Sequence, residues 1–439
     1  MSDLSLQALL LEAANLLLSE YQADRWTGES GSFLRSLGYD RPGDGSEHAS
    51  AHEIAHRARL LRVAATFPRL FRLQSSSAPG LVFLGAELPP SPGLPTLSAS
   101  GVGPSFRAAF EGCVGEGIEL LSQAHREDDP LRQAAMTSDN AWATSAGLPP
   151  EPNGTMIDWI DARRVADGGT MLVPADLALR RGNRAQFSPP YPLSIGCGAG
   201  PTLTDAVLHG LLELVERDAA AIWWRGGQRG HMLPLDHPAS AQAARCLSDA
   251  RAGSQERRSW LLDISTDFRV PCIAAVSVGP DGRGFACGVA ARMTLAQAAE
   301  AAIRELCQME LAQDVVAAKQ RERGESGLNA FDRAHLRRAC EIDAVRCRLL
   351  HPLPPTGTGV IEQEGDPRDL LRGLTARLAK QGIEAFVVEL TRPDFGVPVA
   401  RVLCPALEKE PSTVLGGRLR VAIDVWGGGE HDTANVPLM

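Results

Sequence analysis

Short apolar runs rich in branched residues alternate with longer segments of helical periodicity along most of the chain. The opening stretch, MSDLSLQALLLEAANLLLSEY, carries Asp3, Glu12 and Glu20 at its ends and within its apolar stripe, which predicts an amphipathic helix. Helical periodicity continues to about residue 75, ending in the basic segment HRARLLRVAATFPRLFRLQ. The Ser-, Pro- and Gly-rich stretch that follows, SSSAPGLVFLGAELPPSPGLPTLSASG, reads as a linker with one short strand at Leu81–Leu84 and puts a boundary near residue 95. Beyond it TMLVPADLAL, PCIAAVSVG, GFACGVAAR, GIEAFVVELT and VPVARVLCP are bounded by Gly, Pro or Asp and predict strands. Between them AQAAEAAIRELCQMELAQDVVAAKQ and DPRDLLRGLTARLAKQG predict helices, whereas TSDNAWATSAGLPPEPNG and LLHPLPPTGTG read as surface loops. The order implies an α/β protein: a mainly helical region over 1–95, then one domain over 96–439 whose helices pack on sheet.

The chain repeats itself. GVGPSFRAAFEGCVGEGIE (Gly101 to Glu119) and GAGPTLTDAVLHGLLELVE (Gly198 to Glu216) share Gly-x-Gly-Pro-Ser/Thr, a ten-residue spacer and Glu-x-x-Glu. A degenerate third copy, AARMTLAQAAEAAIRELCQ (Ala290 to Gln308), keeps Thr294, the spacer and Glu305, with Gln308 in place of the second acid. Ser105, Thr202 and Thr294 are N-cap candidates, with Gln297 and Asp205 placed to complete capping boxes. Eleven residues is close to three turns at 3.6 per turn, so each Glu lies nearly in line with its cap, and residues three apart share a face. Each copy therefore presents a pair of side-chain oxygens toward one place. In the second copy Leu211, Leu212, Leu214 and Val215 surround Glu213, and a desolvated carboxylate beside another is costly without a compensating cation. The pairs Glu116/Glu119 and Glu213/Glu216 thus point to a carboxylate-rich site for a hard cation such as Mg²⁺, which commonly holds substrate phosphates.

Composition narrows the reading. Over 439 residues, 44% hydrophobic and 22% charged describe an ordinary globular protein, and a net charge of −9 argues against a nucleic-acid or membrane-surface binder. The N-terminus lacks a secretory signal, and no run of about 18 apolar residues occurs. The nine cysteines stand singly, with no Cys-x-x-Cys, as expected of reduced thiols in a cytoplasmic protein. Only three lysines occur, and none lies in a Gly-Lys-Ser/Thr phosphate loop, so any nucleotide is held by other means. A competing motif, His52-Glu53-x-x-His56 with His48 one turn earlier, matches a zinc-peptidase helix, but no third-ligand segment follows it. The bland alternative is a polar stripe on an amphipathic helix, with His125 and His209 read as single hydrogen-bonded histidines.

SIGCGAGPTLTDAVLHGLLELVERDAAAIWW, SASGVGPSFRAAFEGCVGEGIELLS and LAQAAEAAIRELCQMEL together resemble the signature of the YcaO family, and the likeness runs from about Ser98 to Pro405. The resemblance implies an ATP- and Mg²⁺-dependent enzyme that phosphorylates a peptide backbone amide. Most such enzymes make azolines from Cys, Ser or Thr in ribosomally made precursors of natural products such as bacteriocins; others make thioamides or amidines. It implies that Glu116, Glu119, Glu213 and Glu216 coordinate Mg²⁺ and through it the phosphates, and that Arg217 contacts phosphate. Glu305 and Gln308 would hold nucleotide or metal, Ser194 the nucleoside, and Gly198 and Gly200 would let the backbone approach it closely. The implied partners are a precursor peptide, a leader-binding protein and an azoline dehydrogenase; a non-catalytic scaffold of such a complex is the other reading. Leu120 stands where the family often has Arg, the first copy lacks a common lysine, and NVPLM replaces the Pro-x-Pro-x-Pro tail frequent in azoline-forming members. Amide activation is therefore a firmer expectation than ring formation.

Overall fold

The computed structural model describes residues 3–19, 25–40, 50–135, 142, 155–355 and 359–438. The loop expected over 137–154 lies outside these, apart from Trp142, as do His48 and part of the loop at 349–359. Three helices come first: α1 (Asp3–Ser19), α2 (Gly28–Ser36) and α3 (Ala51–Ala64). The apolar stripe read from the sequence packs α1 on α2 and α3, burying Leu10, Ala13, Ala14 and Leu17. Where a helix end and a linker with one short strand at Leu81–Leu84 were expected, the chain forms a three-stranded antiparallel meander, β1 (Arg69–Leu73), β2 (Val82–Glu87) and β3 (Ser98–Gly103), with the expected strand overlapping β2. The boundary drawn at residue 95 thus falls between two paired strands, because Leu84 and Ala86 of β2 share one core with Ala99 of β3, while Phe83 lies in another against which Val102 of β3 packs.

The remainder runs α4 (Phe106–Ser122), β4 (Arg132–Ala135), β5 (Met156–Arg164), β6 (Thr170–Pro174), β7 (Cys197–Ala199), α5 (Leu203–Trp224), α6 (Pro238–Arg251), β8 (Arg258–Asp263), β9 (Cys272–Val278) and β10 (Ala286–Ala291). It continues with α7 (Leu295–Arg323), α8 (Ala330–Glu341), α9 (Pro367–Ala379), β11 (Phe386–Glu389), β12 (Val399–Leu403) and α10 (Gly417–Trp426). Two further antiparallel sheets result, one ordered β10-β9-β8 and one ordered β4-β5-β11-β12-β7 with β6 also paired to β5. The strands β9, β10 and β12 are buried throughout, which is why each reads as a mainly apolar run, interrupted by Ser277 in β9 and Arg401 in β12. Among the described residues no helix is long and apolar enough to cross a membrane.

The three sequence repeats are three strand–turn–helix units, β3–α4, β7–α5 and β10–α7, and each strand is the edge of a different sheet. Strand and helix lie in backbone contact. A Cβ on Gly101 would stand 2.1 Å from the Ala109 carbonyl oxygen, and one on Gly198 2.4 Å from that of Ala206. Only glycine permits that approach.

Candidate active site

Each unit's helix starts where its cap dictates. The Ser105, Thr202 and Thr294 hydroxyls accept the backbone N–H groups of Ala108, Asp205 and Gln297, and at Thr202 the Asp205 carboxylate returns the bond. At Thr294 the bond runs one way only, so the box expected there is half-formed. With the starts fixed, the acids fall into matching positions. Glu116 accepts the Ser100 amide at 2.8 Å, Glu213 that of Gly196 at 2.9 Å and Glu305 that of Val289 at 3.1 Å, each bonding the strand region of its own unit.

The second member of each pair reaches across to the next unit. Glu119 on α4 accepts the Ala199 amide of β7 at 2.8 Å, and Glu216 on α5 accepts the equivalent Ala291 amide of β10 at 3.2 Å. Gln308 on α7 closes the circuit by donating to the Ser100 hydroxyl of β3 at 2.6 Å. Three similar units are thereby arranged head to tail in a ring, with α4 against β7, α5 against β10 and α7 against β3.

On one side of the ring opens a cavity of about 760 Å³. Glu116, Glu119, Glu213, Glu216, Glu305, Arg217 and Ser194 all line it. Gln308, Gly198 and Gly200 do not: Gln308 is spent on Ser100, and the glycines make room for α5 rather than for a ligand. The Arg217 guanidinium lies 3.4 Å from both Glu213 and Glu216. Burial works against its charge, but the carboxylates of Glu216, Glu213 and Glu305 outweigh burial and hold its pKa above the usual value.

The wall also contains residues that sequence reasoning did not single out for the site: Arg292, Gln297, His209, Gln363 and Glu364. Arg292 had a signal, since it occupies the register at which the other two units carry the glycines Gly103 and Gly200. Gln363 and Glu364 arrive from a distant loop with no local pattern. The motif at His52 to His56 belongs elsewhere: Glu53 caps α3 through a reciprocal box with Ser50, and burial takes the His56 pKa down to about 4.

Six carboxylates face two guanidiniums in this cavity. Burial raises the pKa of Glu116, of Glu119 and of Glu305, and at Glu119 the neighbouring Glu213 charge adds to it. Glu216 is pushed up to about 8, first by burial and then by Glu305 and Glu213, with Arg217 opposing. Such excess negative charge suits a divalent cation. Among the described residues no three His, Cys, Asp or Glu side chains close into a preformed metal cage. Mg²⁺ prefers oxygen donors and is usually held by one or two carboxylates with waters and substrate phosphates. The donor set, oxygens with one lone pair already tied to backbone amides, fits a Mg²⁺–nucleotide complex.

The family described as YcaO cyclodehydratase, ATP- and Mg²⁺-binding, matches residues 100–408. A protein of Rhizobium leguminosarum bv. trifolii, described as an uncharacterised protein in the tfuA 3′ region, is 29% identical over 342 residues, covering 72% of this chain and 78% of that one. Among solved structures, a heterocyclase in complex with substrate and cofactor superposes with a TM-score of 0.67 at 20% identity, over 84% of this chain and 55% of its own, so this chain spans about half its length. YcaO from Methanopyrus kandleri bound with AMPPCP and Mg²⁺ gives 0.55 at 18% identity, over 77% and 85%. The E. coli microcin synthetase McbBCD complex with pro-MccB17 gives 0.57 at 13% identity, over 77% and 88%.

Proposed function

As the chain belongs to the YcaO family of ATP- and Mg²⁺-binding enzymes, we propose that it is a peptide cyclodehydratase, which phosphorylates a backbone amide oxygen in a ribosomally made precursor and so forms thiazoline or oxazoline rings from Cys, Ser or Thr. The observation that carries this reading is the convergence of Glu116, Glu119, Glu213, Glu216 and Glu305 with Arg217 on one cavity. The solved heterocyclase and the microcin synthetase complex share the fold and support the peptide-modifying reading.

Glu116, Glu119, Glu213 and Glu216 would hold Mg²⁺; a backbone amide bonds one oxygen of each, and in Glu213 and Glu216 the other lies 3.4 Å from Arg217. ATP and Mg²⁺ when bound supply the γ-phosphoryl group and neutralise its charge, turning a poor leaving oxygen into a good one. Arg217, pinned between two acids, contacts phosphate, and Ser194 in the cavity wall meets the nucleoside. Glu305 adds a ligand to metal or nucleotide. Gln308 acts at one remove, fixing Ser100 and through it Glu116. A cavity of about 760 Å³ lies within the usual range of roughly 300–1,000 Å³ for ligand sites, and aligning peptide and phosphate inside it supplies much of the acceleration. A precursor peptide, a leader-binding protein and an azoline dehydrogenase are the partners this reading calls for.

The test is ATP turnover by the Glu213→Ala, Glu216→Ala double variant, beside the wild type, with Cys/Ser/Thr-containing peptides. Turnover should disappear, and persistence refutes the site. Mass spectrometry then decides the product: ring closure loses one water, whereas exchange of oxygen for sulfur would replace the cyclodehydratase reading with thioamidation.

A further inference from the structure

His209 is the cavity's imidazole, on α5 one turn before Glu213. Its Nδ1 lies 2.9 Å from the Ala199 carbonyl oxygen, which can only accept, so Nδ1 carries the proton and Nε2 keeps its lone pair. Nε2 has no hydrogen-bond partner among the described residues. Ala199 also donates its N–H to Glu119, so one strand residue positions both the imidazole and a carboxylate of the site. The charged groups around the ring are Arg292, beyond β10, and Asp205, on α5 itself. Desolvation lowers the imidazole pKa, the bond to Ala199 opposes that and Arg292 assists it, which favours the neutral form of a ring that is itself exposed at the cavity. The cavity therefore holds a neutral imidazole whose tautomer is set by the backbone and whose basic nitrogen is unused.

We propose that His209 is the general base of the reaction, its Nε2 taking the proton of the nucleophile that attacks the amide. This deepens the amide-activation reading above and rests on it. As the substrate sulfur or oxygen bonds to the carbonyl carbon, its proton passes to Nε2, and the carbonyl π pair moves onto oxygen, which takes the γ-phosphoryl group as ADP leaves. The amide nitrogen then loses its own proton as phosphate departs with the C–O pair and the C=N bond forms. Two protons leave the peptide, one through the imidazole to water and one with the phosphate. A positioned base of this kind contributes about 10²–10⁴ in rate.

His209→Asn separates the base from a structural role, because the Asn amide can donate to Ala199 as Nδ1 does but carries nothing at the Nε2 position. In the full-length enzyme, ring ¹⁵N chemical shifts at pH 7.5 should show the neutral tautomer protonated at Nδ1. His209→Asn should bind AMPPCP with Mg²⁺ like the wild type by calorimetry while peptide-dependent turnover falls at least about 100-fold. An Nε2-protonated ring or an imidazolium at that pH overturns the proposal, and so does His209→Asn turnover within a few-fold of wild type. Loss of AMPPCP binding in the variant also overturns it, in favour of a purely structural histidine. A wild type that binds AMPPCP and shows the required tautomer but consumes no ATP with any peptide would instead sink the reading beneath.

Discussion

Replacing Glu216 with Gln should make the metal-free protein more stable, and more so as pH rises. The side chain is buried, and its pKa stands at about 8 against an ordinary 4.5. Below about pH 4.5 the carboxyl is protonated folded and unfolded, and it adds no pH dependence. Between 4.5 and 8 the unfolded chain gives up the proton that the folded protein keeps, so the folded state binds more protons and stability falls with rising pH. At 1.36 kcal/mol per pH unit that gap has a ceiling of about 5 kcal/mol. Protonation of Glu305 would relieve the same field, so about 2 kcal/mol is expected at pH 8.5. Gln is neutral throughout and keeps an oxygen for the Ala291 amide, while Arg217 retains Glu213. Urea unfolding in EDTA should therefore show a difference near zero at pH 5 that grows to about 2 kcal/mol at pH 8.5. With Mg²⁺ and AMPPCP the order should reverse, because only the wild type gains the full binding energy. A variant less stable than wild type at pH 8.5 without metal, or two profiles parallel in pH, would refute the argument.

Two further outcomes follow from packing. Gly198→Ala puts a methyl 2.4 Å from the Ala206 carbonyl oxygen and 2.8 Å from the Gly210 nitrogen, backbone atoms that cannot step aside, so urea unfolding should show a loss of about 3 kcal/mol; Gly115→Ala, with nothing within 4 Å of the new methyl, should show none. Arg251→Ala should cost about 3 kcal/mol in the same assay, because it strips the buried Glu310 of two bonds of 2.6 and 2.8 Å and leaves Arg257 as its remaining cation.

Local spacing made part of this legible. The buried strands β9, β10 and β12 announce themselves as apolar runs, and the eleven-residue register from cap to glutamate places Glu116, Glu213 and Glu305 on equivalent faces. What pairs with what is not local. The meander β1-β2-β3 is interrupted by Ser77, Ala78 and Pro79 before β2 and by Pro89, Pro90 and Pro92 after it, which read as a linker because nothing in the sequence says that β2 lies between β1 and β3. The strand β7 is three residues long, too short for a two-residue period to show. Arg292 lay one alignment column from recognition, whereas Gln363 enters the cavity wall from a loop whose only constraint is tertiary.

The ring explains why the fold tolerates its acids. At two of the three junctions between units the crossing residue is a glutamate, Glu119 or Glu216, whose oxygen accepts the amide that the next strand offers at Ala199 or Ala291. At the third junction the crossing residue is Gln308, a donor, and it meets the Ser100 hydroxyl, which passes a weaker bond of 3.3 Å on to Glu116. Negative charge is therefore concentrated at two junctions, and the cavity opens on those two, with Gln308 outside its lining. A fully symmetric ring with a third crossing glutamate would bring a second buried carboxylate to Ser100, whose amide and hydroxyl both already serve Glu116. The neutral residue at the third junction is what lets the other two junctions face the cavity with their carboxylates while the ring still closes.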